Sequence, residues 1–239
     1  MGLIDPSGPG MENWQIDGDN HLYKQWFWYR IGSTGPENNI ATLPLISWRK
    51  HGAGTLDLKF GNSQLSIELA YSLIGGRNGS GQSDIGEQVS IDNLSGAPLP
   101  LHFFQYTDFD FGKGCPNDVV ELGSNPQGLF NEAYQGRGRG RVTDTVVTPG
   151  ANHGEVAIGN IILNALTDAN PTTLNDVAGP IVGDCAWAFE WDPVIGAGGS
   201  FIFNSEKKVM MTTLPEPGAL SLISAGALAV CLRRRHFAA

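Results

Sequence analysis

Short runs of alternating apolar and polar residues, broken by Gly, Pro, Asn and Asp, fill most of the chain. The clearest sets Leu65, Ile67, Leu69, Tyr71 and Leu73 against Ser66, Glu68, Ala70 and Ser72. A period of two sends successive side chains to opposite faces of a pleated strand, so this stretch reads as half-buried β-structure. It ends at Gly75-Gly76, residues 77–84 are turn chemistry throughout, and an extended pattern resumes through Ile85, Val89 and Ile91. The two strands are expected to form a hairpin. Further extended stretches are predicted at 22–31, 41–47, 55–60, 99–111, 141–148, 155–158, 185–191, 200–204 and 208–213. Only 160–167 looks helical, with Ile161, Ile162 and Leu166 able to share a face. Without repeated ten-residue helices a doubly wound sheet or a TIM barrel is excluded. The expectation is an all-β body, a single β-sandwich of immunoglobulin-like or jelly-roll-like form over residues 12–213, preceded by a flexible segment 1–11.

Composition supports a folded body. The 239 residues are 41% hydrophobic and only 16% charged, which excludes wholesale disorder. The 32 glycines are nearly twice the usual ~7% share and follow no Gly-X-Y period, so collagen is excluded and long helices are disfavoured. Net charge is −9; three of the 15 basic residues and one of the 24 acidic ones lie beyond position 215, which leaves −11 on the body. A body of that sign repels phosphate backbones, and no nucleic-acid partner is expected. The one basic run within it, residues 136–141 with Arg137, Arg139 and Arg141, could make an RGG-like RNA contact but reads as a flexible loop leading into the strand at 141–148. Cys115 and Cys185 are the only cysteine pair in the body; a bridge between them would close a loop of about 70 residues, worth roughly 4 kcal/mol. No C-x-x-C or Cys/His spacing supports a metal site, and no cofactor is expected.

Residues 214–239 carry the strongest signal. Pro215-Glu216-Pro217 is followed by fifteen uncharged residues, 218–232, and then by Arg233, Arg234 and Arg235. The prolines hold an extended, accessible segment. The apolar run would span about 22 Å as a helix against a hydrocarbon core of about 30 Å, marginal as a permanent anchor and adequate as a transient one. Three arginines orient it with the C-terminus in the cytoplasm. A buried C-terminal helix is disfavoured, because the run has no polar face.

This arrangement resembles the PEP-CTERM sorting signal of exported bacterial proteins. The resemblance implies recognition by exosortase, a membrane protease and transpeptidase, with removal of the tail near Pro215-Glu216-Pro217. It also implies transient residence in the inner membrane and delivery to a cell surface or an exopolysaccharide matrix. The body, at Trp14 to Asp17, Gln25 to Gly32 and Leu101 to Asp110, resembles uncharacterised bodies of other such proteins, and no activity travels with that likeness. Export needs a basic then apolar N-terminal leader, which residues 1–10 do not show, so the sequence is expected to begin downstream of its leader; a cytoplasmic protein is the alternative.

Three functions from different classes follow: a non-enzymatic surface or matrix protein, a carbohydrate-binding module, and a secreted glycoside hydrolase. Trp26 and Trp28 share one face of a strand whose other face carries Phe27 and Tyr29. Two-sided burial is the plain reading of that run, and an aromatic platform on which sugars stack is the functional one. Asp108 and Asp110, two apart in an extended stretch, form the candidate hydrolase pair; they could equally face solvent, or bind calcium with Asn117 or Asp118. Glu190 and Asp192 repeat the spacing with the same alternatives. His21, His51, His102 and His153 are scattered, and neither G-x-S-x-G nor H-E-x-x-H accompanies them. Asp17-Gly18-Asp19-Asn20 reads as a turn rather than half of a calcium loop. The body is expected to be non-enzymatic.

Overall fold

The computed structural model describes residues 10–111, 117–138 and 140–211. The predicted sorting segment, its apolar helix and Cys115 lie outside the described residues. Within them the chain is all-β, with one 3-10 turn at Ile40–Thr42 and one five-residue helix. The strands begin with the small hairpin β1 (Gln15–Ile16) and β2 (Asp19–Asn20), then β3 (Leu22–Ile31), β4 (Asn38–Asn39), β5 (Leu45–His51), β6 (Thr55–Gly61), β7 (Leu65–Gly75) and β8 (Gln82–Asn93). They continue with β9 (Leu99–Phe109), β10 (Asp118–Ser124), β11 (Phe130–Arg137), β12 (Gly140–Thr148) and β13 (His153–Ile158). Helix α1 (Ile161–Ala165), β14 (Ile181–Gly183), β15 (Cys185–Trp191), β16 (Val194–Ile195) and β17 (Ser200–Met211) complete the order.

Two antiparallel sheets pack in a sandwich-like arrangement. The larger has nine strands in the order β14-β10-β11-β12-β17-β8-β7-β6-β5, and the smaller runs β13-β15-β9-β3-β4 with β16 also on β9. The hairpin read from the period-two pattern is present: β7 and β8 pair from Leu65↔Asn93 to Gly75↔Ser83. Its turn is held from outside, since the Asp17 carboxylate accepts from the amides of Gly79 and Gly81, each at 2.8 Å. Asp17 itself has φ +49° and Gly18 +97°, the left-handed backbone of a tight turn, in keeping with the turn reading of residues 17–20.

The described residues at the two ends of the arginine-glycine run, 136–137 and 140–141, are paired strand rather than loop. β11 and β12 pair as far as Arg137↔Gly140, where composition alone suggests a loop. β17 is also one strand where the polar triplet Ser205-Glu206-Lys207 suggests a break between two. Its inward positions run Phe203, Ser205, Lys207, Val209, and all four are buried.

Aromatic residues fill the space between the sheets. Trp191 of β15 stacks on Phe203 of β17 at 4.0 Å between centroids, and Phe103 of β9 meets the same ring at 5.8 Å. Beside them lies a buried polar island. Lys207 Nζ donates to Glu87 Oε2 at 2.7 Å and lies 3.2 Å from Asp144 Oδ2, and Gln105 Nε2 from the opposite sheet donates to Asp144 at 2.9 Å.

Candidate functional site

The face of the smaller sheet turned away from the nine strands carries an unusual set of polar residues. Pairing puts Arg30 opposite His102, and Glu190 opposite both Phe104 and His153. Because paired residues share a face, alternation places Arg30, His102, Glu155, Glu190 and His153 together there. The segment 168–180 lies across them as a strap, and carboxylates of the sheet and of the β3–β4 loop take up its backbone amides. Thr172 N donates to Glu37 Oε1 at 2.8 Å, Leu174 N to Glu190 Oε2 at 2.8 Å, and Asn175 N to Glu155 Oε2 at 2.9 Å. Arg30 ties the same layer, with Nε 2.8 Å from Glu37 Oε1 and an NH2 donating to Thr172 O at 2.8 Å.

At one end of this layer two histidines and three carboxylates meet. His102 Nδ1 lies 3.1 Å from Glu190 Oε1 and 2.5 Å from Asp192 Oδ1. His153 Nε2 lies 3.5 Å from Asp192 Oδ2, and its Nδ1 is 3.0 Å from Asp176 on the strap. Burial pushes the Glu190 carboxyl up to about 8; the Leu174 amide opposes this and neighbouring Asp192 adds to it. Sequence reading singled out Glu190 and Asp192 as a pair but left the histidines scattered. Positions 102, 153, 176, 190 and 192 span ninety residues, and only strand pairing brings them together.

A second cluster forms around the proposed hydrolase pair. Asp108, Asp110 and Asp184 bring their carboxylates within 4.8 Å of one another. Asp108 is 7% exposed and its Oδ2 accepts from the Tyr106 hydroxyl at 3.0 Å. Burial pushes it up to about 7, with Tyr106 opposing and Asp110 and Asp184 adding. A carboxyl held protonated near neutrality has the titration of a general acid; of its two neighbours Asp110 is half-buried and Asp184 exposed. Asp118 lies outside this cluster; its Oδ2 accepts from Gln135 Nε2 at 2.9 Å and from the Phe111 amide at 3.3 Å.

Trp26 and Trp28 are not a sugar platform. They are 1% and 3% exposed; Trp26 donates its indole N–H to Asn39 Oδ1 at 2.8 Å, and Trp28 meets Tyr106 edge-to-face. Two-sided burial of the aromatic run is what the structure shows, because β3 is covered on both faces. Of the six tryptophans only Trp48, on the edge strand β5, is open, at 65%. Cys185 is buried, and burial, reinforced by Asp118, Asp184 and Asp108, pushes its thiol up to about 11. No helix among the described residues is long and apolar enough to cross a membrane.

No protein-family model matches the chain, and no curated protein does. Among solved structures, a bacterial glucoamylase complexed with acarbose is similar, with a TM-score of 0.58 at 9% identity. The match covers 83% of this chain and 28% of the glucoamylase chain. At that identity the likeness is one of fold alone.

Proposed function

We propose that the chain is an exported bacterial protein whose body, a single sandwich of jelly-roll-like or immunoglobulin-like kind, is non-enzymatic and serves a structural or adhesive role at the cell surface or in an extracellular matrix. The observation that carries this reading is the order Pro215-Glu216-Pro217, an uncharged run at 218–232, then Arg233-Arg234-Arg235. Exosortase is the partner, the inner membrane a transient station, and exopolysaccharide the surrounding material. The body supports the reading by its chemistry. Its outer-face carboxylates are engaged in holding the strap, and its aromatic residues fill the core, as in a scaffold.

Two sets of variants test it in the native host. Replacing Arg233, Arg234 and Arg235 by Glu removes the bias that orients the segment and leaves its apolar length unchanged. Free, unprocessed precursor should then appear in the periplasm or medium. Replacing Pro215 and Pro217 by Ala alters the gripped segment and not the membrane-spanning one, so membrane-held precursor should accumulate. If both variants were processed and secreted like the wild type, the sorting reading would be wrong.

A carbohydrate-binding role is the second reading, and the observation favouring it is Trp48, whose exposed indole can stack on a sugar ring. Exopolysaccharide should shift the emission of the wild type and leave Trp48→Ala unshifted, since the other five indoles are buried. An identical response in the two proteins would remove this reading.

A further inference from the structure

We propose that His102, Glu190 and Asp192 form a binding site for a divalent first-row cation of the Zn2+ type, with Asp176 and His153 holding Asp192 in place. Each of the three offers one ligand atom, and the three atoms lie within 4.8 Å of one another. Around a tetrahedral zinc ion with bonds of about 2.0–2.2 Å, ligand atoms sit roughly 3.3–3.6 Å apart. His102 Nδ1 is 3.1 Å from Glu190 Oε1 and 2.5 Å from Asp192 Oδ1, so a small outward movement of Asp192 makes room for the ion.

The charges ask for such an ion. A single imidazole Nδ1 carries at most one hydrogen and faces two carboxylates, one of them, Glu190, fully buried. Asp192 Oδ1 is itself buried and has no well-formed hydrogen bond, although it lies against the imidazole. A cation bound by all three groups would engage both carboxylate oxygens at once, where the single Nδ1 hydrogen can serve only one of them. The nearby guanidinium of Arg30 is already taken up by Glu37 Oε1 and by the carbonyls of Gly32 and Thr172.

The surroundings are those of an oriented site. The Leu174 amide donates to the far oxygen of Glu190 at 2.8 Å, and the Asp192 amide donates to Asn152 Oδ1 at 2.9 Å. Asp176 accepts from His153 Nδ1, which turns Nε2 toward Asp192 Oδ2; this carboxylate–imidazole relay is the kind of outer partner that fixes metal ligands. One imidazole nitrogen with two carboxylate oxygens suits zinc better than calcium, which takes six to eight oxygens, or magnesium, which keeps an octahedral oxygen shell. The side chains of His102 and Asp192 are 23% and 25% exposed, which leaves a route for the ion and a fourth position for water.

Equilibrium dialysis of the full-length chain in detergent against Zn2+, followed by elemental analysis, should give one ion per chain. Zn2+ should also raise the thermal midpoint, and equal Ca2+ should not. Asp176→Asn should weaken binding by about 10–100-fold, as expected for loss of an outer partner, and His102→Ala and Asp192→Asn by more. His51→Ala, at the exposed His51–Asp57 pair, should bind like the wild type. X-ray absorption at the zinc edge needs no variant and should show a shell of oxygens with one imidazole. The proposal is overturned by an absence of bound Zn2+, by a shell containing sulfur or lacking imidazole, or by a folded His102→Ala that binds as tightly as the wild type.

Discussion

Lys207 shows how much one residue's placement departs from its type. It is fully buried between Glu87 and Asp144. Burial alone would lower its pKa, but Asp144 and Glu87 outweigh that and raise it, so it stays charged. Burial raises Glu87 in turn, against the pull of Lys207. Removing one partner of a buried ion pair leaves the other uncompensated, at a cost of about 3–5 kcal/mol. Lys207→Met should therefore lower stability in urea by that order, and adding Asp144→Asn should restore part of it. A Lys207→Met protein as stable as the wild type would show that the island contributes little.

The strap is held at the scale of the element rather than by a core of its own. Its amides at Leu174 and Asn175 go to two carboxylates on the sheet and that of Thr172 to Glu37 in the β3–β4 loop, and only Leu174 of its large side chains is buried. Glu155 accepts from both the amide and the side chain of Asn175, each at 2.9 Å. Glu155→Ala should remove both bonds to the carboxylate, costing about 1–3 kcal/mol locally. Hydrogen exchange should accelerate at residues 172–177 while β9 keeps its protection. Uniform acceleration across both would mean that the strap opens only with the whole domain.

The molecule as a whole should lose stability as pH rises from mildly acidic to mildly basic. Asp108 titrates at about 7 in the fold against an ordinary 3.8, so between those values the folded state holds a proton that the unfolded chain has released. Stability contributed by that proton is present below about pH 4 and is gone above about pH 7, the sign opposite to that of a salt-bridged carboxylate. Glu87, raised by burial, acts in the same direction. Urea midpoints measured at pH 5 and pH 8.5 should differ, with the lower at pH 8.5. Asp108→Asn, which cannot ionise, should reduce the difference; an unchanged difference would remove Asp108 as its source.

Fold class was legible in the sequence because strand formation leaves a local mark. The period-two run at 65–73, the turn chemistry after it and the aromatic β3 all read correctly, and 185–191 matches β15 residue for residue. Strands β10 and β11 escaped notice because their alternation is diluted by glycine and by inward polar residues such as Gln135. The break expected inside β17 has the same origin: hydropathy marks Ser205 and Lys207 as outward, and only the carboxylates of β8 and β12 make their burial tolerable. The outer-face cluster lay beyond sequence reading for a further reason, since His102, His153, Asp176 and Asp192 belong to segments whose neighbours are set by strand order. By itself the sequence determined the all-β class, most strand positions and the ordered signature at 215–235, which are properties of contiguous residues. Which polar residues are buried, and which histidine meets which carboxylate, was decided by sheet pairing, because a period of two assigns a face to each side chain but never a partner.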